Sequence, residues 1–133
     1  MEEPRFLSVE NVLYLHACTI SGEGGKDGIR ELALLESAVL MPQQRFGGVY
    51  LHPDPPEMAA AYVYHLCSNH AFVDGNKRIG AIAAYVFLDL NGWELRASES
   101  AFEELVMRLA AGELGKESVI EWFCAHARKR LEP

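Results

Sequence analysis

The sequence lacks any apolar run of the ~18 consecutive residues that a membrane-spanning helix needs. Residues 1–4 also lack the basic start and apolar run of a signal peptide. Cysteine is scarce: Cys18, Cys67 and Cys124 are odd in number and scattered among apolar residues, which argues against a disulfide framework. These absences predict a cytoplasmic protein that does not contact a membrane and keeps reduced thiols in its core.

Basic residues are also few. The chain has 12 Lys and Arg against 19 Asp and Glu, which gives a net charge of −7. A nucleic-acid-binding surface is basic, so we expect no direct binding to nucleic acid. Half of the 133 residues are hydrophobic, which argues against disorder. A chain of this length and composition predicts a single domain over residues 1–133.

One stretch, His70 to Arg78, concentrates polar side chains within nine positions. The residues after it recur at helical spacing and predict a buried helix over about 76–91; they are Ile79, Ile82, Ala83, Val86, Phe87 and Leu90. The first turn of a helix has unpaired N–H groups and a partial positive charge. Gly75 lets the backbone approach a ligand closely. The stretch therefore predicts a loop that binds an anion, most simply phosphate.

The side chains of this stretch also suggest chemistry. Lys77 and Arg78 add full positive charges beside the N–H donors. His70 is of the type that serves as a general base near neutral pH, Asp74 is a hard oxygen ligand suited to Mg²⁺, and Asn76 can orient a phosphate oxygen. Together these are the parts needed to transfer a group from a nucleotide to a hydroxyl. Spacing alone leaves open an alternative, in which Asp74 caps the helix, His70 is a core residue and the cations are solvated.

The rest of the chain reads as helices with one hairpin. Apolar spacing and capping residues predict further helices over about 9–20, 29–41, 55–69, 99–111 and 117–130. His16 lies on the apolar stripe of the first, so we interpret it as a core residue. The fold class is therefore all-α: a bundle of about six helices around the central apolar helix, with one small β-hairpin.

The hairpin is predicted at Phe46-Gly47-Gly48-Val49-Tyr50, where a Gly-Gly pair separates short aromatic and β-branched runs. From the residues alone it is an ordinary surface hairpin in which Phe46 and Tyr50 pack. We call these five residues the flap.

The stretch His70 to Arg78 resembles the signature of the Fic/Doc superfamily, and specifically its death-on-curing (Doc) branch, His-x-Phe-x-Asp-(Ala/Gly)-Asn-Lys-Arg. The resemblance extends over about residues 6–95. Its other landmarks are Gly25 to Gly28, Leu35 to Ala38, Pro42, Phe46 to Gly48 and Phe87 to Gly92. The resemblance implies the helical fold just described, with the flap bordering an active site and holding a target segment by strand addition.

The resemblance also implies an activity. AMP-transferring Fic proteins have Gly where this chain has Lys77, and a second Arg where it has Ala81. The Doc pattern implies instead that His70 acts as the base while ATP, with Mg²⁺ on Asp74, gives its γ-phosphate to a serine or threonine hydroxyl. Gly75, Asn76, Lys77 and Arg78 would bind the nucleotide's phosphates. AMP transfer, or a module that binds phosphate or an antitoxin peptide without turnover, stays open as an alternative.

The implied partners are proteins. By resemblance the target is elongation factor Tu, so that translation stops, and the chain is the toxin of a type II toxin–antitoxin system with a Phd-like antitoxin. Thr19 to Gly24 also fits the loose pattern (Ser/Thr)-x-x-x-Glu-(Gly/Asn), which marks a self-inhibitory helix in Fic relatives. Three glycines surround Glu23 and oppose a helix by about 1 kcal/mol each. We therefore interpret this match as chance and expect a separate antitoxin.

Overall fold

The structure, a computed structural model, describes residues 3–131. Within this range the elements, in chain order, are α1 (Val9–Glu23), α2 (Leu32–Leu40), a 3-10 turn (Met41–Gln43), β1 (Arg45–Phe46), β2 (Val49–Tyr50), α3 (Pro55–Asn69), α4 (Asn76–Leu90), β3 (Trp93–Leu95), α5 (Glu99–Ala110), α6 (Lys116–His126) and β4 (Ala127–Lys129). None of the helices in this range is long and apolar enough to span a membrane. The predicted all-α architecture with a small hairpin is confirmed.

Three helices begin at capping side chains that the sequence predicts. The Ser8 hydroxyl accepts a hydrogen bond from Asn11 N at 3.0 Å. Asp54 accepts one from the third residue of α3 at 3.1 Å, and Ser98 caps α5 in the same way. Each cap pairs an N–H group that the helix leaves without a partner. The predicted starts of α1, α3 and α5 are therefore confirmed.

α3 and α4 form the centre of the core and are joined by the loop over residues 70–75. Every residue from Met58 to Val63 is fully buried in α3, while α4 buries Ile79, Ala83 and Phe87. α1 packs on α4, and α2, α5 and α6 pack on α3. α4 therefore shares the predicted central place with α3, and one cluster of buried apolar residues draws on all six helices. The single domain over residues 1–133 stays a prediction.

The C-terminal end differs from the helix predicted over residues 117–130. α6 ends at His126, and β4 follows it and pairs antiparallel with β3. The Arg130 guanidinium holds this end in place, because it donates to Asp89 O at 2.9 Å and to Trp93 O at 3.0 Å. Tertiary pairing thus outweighs helix propensity. The prediction of helix beyond His126 is wrong.

The three cysteines are free thiols, as predicted. Cys67 is buried between α3 and α4, and burial raises the pKa of its thiol to about 12. Cys18 and Cys124 are exposed, so the prediction that all three lie in the core is wrong. Each of these two thiols adjoins a buried residue, Thr19 or Phe123, but itself lies on the exposed side of its helix.

Candidate active site

The loop between α3 and α4 turns through two residues in the left-handed backbone region. His70 (φ 50°, ψ 47°) follows the last residue of α3, and Gly75 (φ 80°, ψ 17°) precedes α4. The first hydrogen bond within α4 runs from Ile79 N to Gly75 O at 2.9 Å. The N–H groups of residues 76–78 therefore have no partner within the helix, and the positive end of the helix dipole lies beside them. This backbone geometry suits an anion.

Asn76 shapes this loop. Its side-chain oxygen accepts a hydrogen bond from Phe72 N at 3.1 Å, and its side-chain nitrogen donates to Phe72 O at 3.0 Å. The Asn76 amide therefore pairs both backbone polar groups of Phe72, and both polar atoms of that amide are occupied within the loop. A contact from this side chain to a phosphate stays a prediction, while its backbone N–H is among the unpaired donors of α4.

His70, the predicted base, is exposed. Its left-handed backbone conformation costs a residue other than glycine about 1–3 kcal/mol. Arg30 compensates for it. The Arg30 Nε donates to His70 O at 2.7 Å, and its Nη2 donates to Asn69 O at 3.4 Å. Hydrogen bonds from a charged donor stabilise by about 1.5–3 kcal/mol, which matches the strain. Sequence reasoning missed Arg30, because nothing local marks an arginine 40 residues before the histidine it supports.

Asp74 is held as a carboxylate. Its Oδ2 accepts from Lys26 N at 3.2 Å and its Oδ1 accepts from Gly75 N at 2.8 Å. These backbone hydrogen bonds, with the charge of Arg78 as a smaller cause, lower the pKa of Asp74 below its ordinary value. The residue that precedes α4 as its cap is Gly75, so the alternative in which Asp74 caps the helix is wrong.

The residues of the loop fit Mg²⁺ only in a site where the nucleotide and water supply most of the ligands. Residues 3–131 contain no cluster of three or more His, Cys, Asp or Glu that could hold a metal by themselves. Mg²⁺ commonly binds through one or two carboxylates and takes its other ligands from phosphates and water. A single ionised Asp74 beside the anion site satisfies that requirement when a nucleotide is present. The metal role of Asp74 stays a prediction.

Arg78 contacts the end of α1. Its Nη1 donates to Glu23 Oε2 at 3.2 Å and to Gly24 O at 3.1 Å. α1 runs through Gly22 to Glu23, and Gly24 N closes its last turn onto Ile20 O at 2.9 Å. The expectation that glycines keep Glu23 off a helix is therefore wrong, because contacts to Arg78 and the last hydrogen bond offset the modest cost of glycine.

The glycine-rich segment (residues 24–28) lies along the loop rather than away from it. Gly25 has φ 118°, which L side chains rarely adopt, and a Cβ atom there would lie 2.8 Å from Asp74 Oδ2 and 3.0 Å from Arg78 Nη2, so glycine suits this close approach. Val73 N donates to Gly28 O at 3.0 Å. The segment thus lies against the carboxylate and the guanidinium of the candidate site.

Lys77 is the remaining cation of the loop. It lies in the first turn of α4 and is exposed, and none of the ion pairs within residues 3–131 involves it. Ala81, one turn further, is half-buried and carries no polar group. The anion site therefore has one engaged guanidinium and one available ammonium.

The flap forms the predicted hairpin. β1 and β2 pair antiparallel with Phe46 opposite Val49, and Gly47 (φ 59°) and Gly48 (φ 82°) make the turn. Phe46 is 84 % exposed and Val49 67 % exposed, so both present unpartnered apolar surface. Tyr50 is half-buried, and its hydroxyl donates to Glu3 and accepts from Arg45. Within residues 3–131 no hydrogen bond joins the flap to residues 70–78, and its docking role stays a prediction.

The fold and the site define a class: helical domains in which a central helix begins at a loop that carries a histidine and a carboxylate and whose backbone geometry suits an anion. The chain belongs to the Fic/DOC family, whose sequence model matches residues 6–88. The resemblance on the stretch His70 to Arg78 is therefore confirmed.

Two relatives belong to the Doc side of the family. Over 98 residues the chain is 38 % identical to "Toxin Doc" of Mycolicibacterium smegmatis, covering 72 % of this chain and 75 % of that protein. Over 117 residues it is 30 % identical to "Protein kinase doc" of Escherichia phage P1, covering 88 % of this chain and 91 % of that protein. The second alignment extends beyond the 6–95 range of the sequence-based resemblance, because it covers most of the chain.

Proposed function

We propose that this chain is the toxin of a toxin–antitoxin pair and transfers the γ-phosphoryl group of ATP to a serine or threonine hydroxyl of a protein. The observation that carries the proposal is the exposed Lys77, which stands beside three backbone N–H groups at the start of α4. An ammonium at this position supplies charge to a transferred phosphoryl group. The names of the two relatives, a toxin and a protein kinase, support both parts of the proposal.

Each residue of the loop then has a role in transfer. His70 takes the proton of the acceptor hydroxyl. The hydroxyl oxygen forms a bond to the γ-phosphorus while the bond between that phosphorus and ADP breaks. The Asp74 carboxylate would hold Mg²⁺, which neutralises charge on the phosphates when bound. Gly75 places the backbone against the phosphates, and Lys77 and Arg78 hold their oxygens.

Arg78 must exchange partners before it can serve. Its Nη1 now donates to Glu23 Oε2, with which a phosphate oxygen would compete, and to Gly24 O. Phosphate carries more charge than one carboxylate and accepts two parallel N–H bonds from a guanidinium. Nucleotide binding therefore replaces the contact to Glu23.

AMP transfer is the second candidate, because Glu23 sits on α1 and contacts Arg78 as the self-inhibitory pattern of Fic relatives requires. Against it, Ala81 offers no second clamp for the β- and γ-phosphates. A module that binds phosphate or an antitoxin peptide without turnover is the non-enzymatic candidate.

The proposed partners are two proteins. The target is elongation factor Tu, docked on the flap, where Phe46 of β1 and Val49 of β2 expose apolar side chains. The regulator is a Phd-like antitoxin that lays a helical segment in an apolar groove of this chain.

The test uses ATP labelled at the α- or the γ-phosphate, with bacterial elongation factor Tu and Mg²⁺. Label transferred from γ-ATP alone supports the proposal, and label transferred from α-ATP establishes AMP transfer instead. The folded variant His70→Ala is the control for chemistry at this loop. Absence of label from both nucleotides contradicts transfer to this target.

A further inference from the structure

A buried histidine outside the signature stretch lies directly beneath the loop. His16, in α1, is only 2 % exposed, and its ring stacks on Phe72 with centroids 3.8 Å apart and planes inclined by 11°. Its Nε2 is 2.8 Å from Asp74 O. A carbonyl oxygen can only accept, so Nε2 carries the proton and donates it. The ring therefore contacts the loop at two residues, on either side of residue 73.

The second ring nitrogen is not needed for this contact. His16 Nδ1 is 3.9 Å from Asp27 Oδ1, which is too long for a hydrogen bond, and Asp27 is mostly exposed. The contact to Asp74 O thus requires a proton on Nε2 of this buried ring.

The chain contains a histidine that shows what packing alone looks like. His126 also stacks on an aromatic ring, that of Trp122, at 4.2 Å and 25°. Its Nδ1 is 2.7 Å from Trp122 O, one turn earlier in the same helix. The hydrogen bond of His126 therefore stays within its own helix, whereas that of His16 reaches Asp74 in a loop 58 residues away in sequence.

We propose that His16 is a positioning residue for the nucleotide–Mg²⁺ site. It donates to the backbone carbonyl of Asp74, while Lys26 N and Gly75 N donate to the carboxylate of the same residue. His16 also borders the residue before α4, since a Cβ at Gly75 would lie 3.4 Å from His16 Nε2, in ordinary van der Waals contact. Held in this way, the carboxylate and the first N–H groups of α4 keep one relative geometry. The part of this inference that concerns nucleotide and Mg²⁺ rests on the proposed function. The part that says His16 holds the loop in one conformation does not.

The test compares three variants of the full chain. His16→Phe keeps an aromatic ring on Phe72 and removes the donor, while His16→Gln places an amide N–H near the position of Nε2. His126→Phe is the matched control for losing a stacked histidine. The readouts are hydrogen exchange of residues 72–78 without nucleotide, and the Mg²⁺ concentration that half-saturates binding of a fluorescent ATP analogue.

We expect His16→Phe to speed exchange in the loop, and to raise the half-saturating Mg²⁺ concentration, by roughly tenfold each, because the partly buried Asp74 carbonyl loses its donor. His16→Gln should return both readouts to within about twofold of the parent, and His126→Phe should leave both unchanged. Parent-like behaviour of His16→Phe, or failure of His16→Gln to restore either readout, would overturn the proposal.

A third measurement needs no substitution and decides the matter if His16→Phe does not fold. ¹⁵N shifts of the imidazole in the unmodified protein should show the proton of His16 on Nε2. A proton on Nδ1 without one on Nε2 would overturn the proposal. If the parent binds no nucleotide at all, the proposed function fails, while the exchange and tautomer readouts still decide whether His16 holds the loop.

Discussion

The contact between Glu23 and Arg78 predicts a weak effect on nucleotide binding rather than a lock. Replacing Glu23 by Gln removes the negative charge that competes with phosphate for the guanidinium, and it keeps the length of the side chain. We expect ATP to bind more tightly as a result. Transfer activity at saturating ATP should stay nearly unchanged.

The size of the effect follows from exposure. The Glu23 side chain is 62 % exposed and that of Arg78 33 %, and the nitrogen and oxygen are 3.2 Å apart. Ion pairs this open to solvent are worth about 0.2–1 kcal/mol. Because 1.4 kcal/mol corresponds to a tenfold change, the affinity for ATP should rise by about 1.4- to fivefold. The hydrogen bond from Arg78 to Gly24 O remains and keeps the guanidinium in place.

The assay is calorimetric titration of Mg²⁺–ATP into Glu23→Gln and into Glu36→Gln, an exposed glutamate of α2. The second variant makes the same change in net charge away from the site, so it measures the general repulsion of ATP by an acidic protein. A gain above about tenfold for Glu23→Gln over this control would refute the reasoning from exposure. Glu23 would then be an inhibitory residue, and the sequence match to the self-inhibitory pattern would not be chance.

Three further predictions concern the loop and the stability of the fold. His70→Ala should lower the transfer rate by roughly 10²–10⁴-fold and leave ATP binding intact, and a folded variant with near-parent rates would remove His70 as the base. Asp74→Asn should raise the Mg²⁺ concentration needed for half-maximal transfer, since an amide is a poorer ligand for this cation, and an unchanged Mg²⁺ titration would exclude Asp74 as a ligand. Burial, with the charge of Lys116 as a smaller cause, lowers the pKa of His52 and His65 from 6.5 to about 4. The unfolded chain therefore binds these protons first, so the free energy of unfolding should fall by about 2 kcal/mol as the pH drops from 6.5 to 4, after allowance for solvent screening. Urea unfolding across this range that shows a flat or rising free energy would contradict the burial of these two rings.

Most of the fold could be predicted because its signals are local. Ser8, Asp54 and Ser98 mark helix starts that the structure reproduces, and the apolar spacing after Gly75 marks α4. The strand pairing of β3 with β4 could not be predicted in this way. It depends on Arg130 reaching the carbonyls of Asp89 and Trp93, which are about 40 residues earlier in the chain. No local pattern records a partner at that distance.

The candidate site divides along the same line. The identities of the loop residues, from His70 to Arg78, were visible in the sequence because they lie within nine positions. The residues that hold them in place were not. Arg30, His16 and Glu23 reach the loop across 40 to 58 positions, through a backbone carbonyl or a single ion pair. His16 also carried the usual mark of a core residue, its place on an apolar stripe, so its hydrogen bond to the loop gave no signal.

The central claim is that Lys77 determines which group of ATP is transferred, the γ-phosphoryl group or AMP. The mass of the modified target tests this claim most directly. Elongation factor Tu is incubated with Mg²⁺–ATP and the unmodified chain, or with Lys77→Gly combined with Ala81→Arg. The unmodified chain should add about 80 Da, the mass of a phosphoryl group, and the double variant should lose that product and gain some of about 329 Da, the mass of AMP. Loss of phosphoryl transfer in Lys77→Ala would show the contribution of the ammonium. An increase of about 329 Da produced by the unmodified chain would contradict the claim, and the AMP-transferring orientation would then hold.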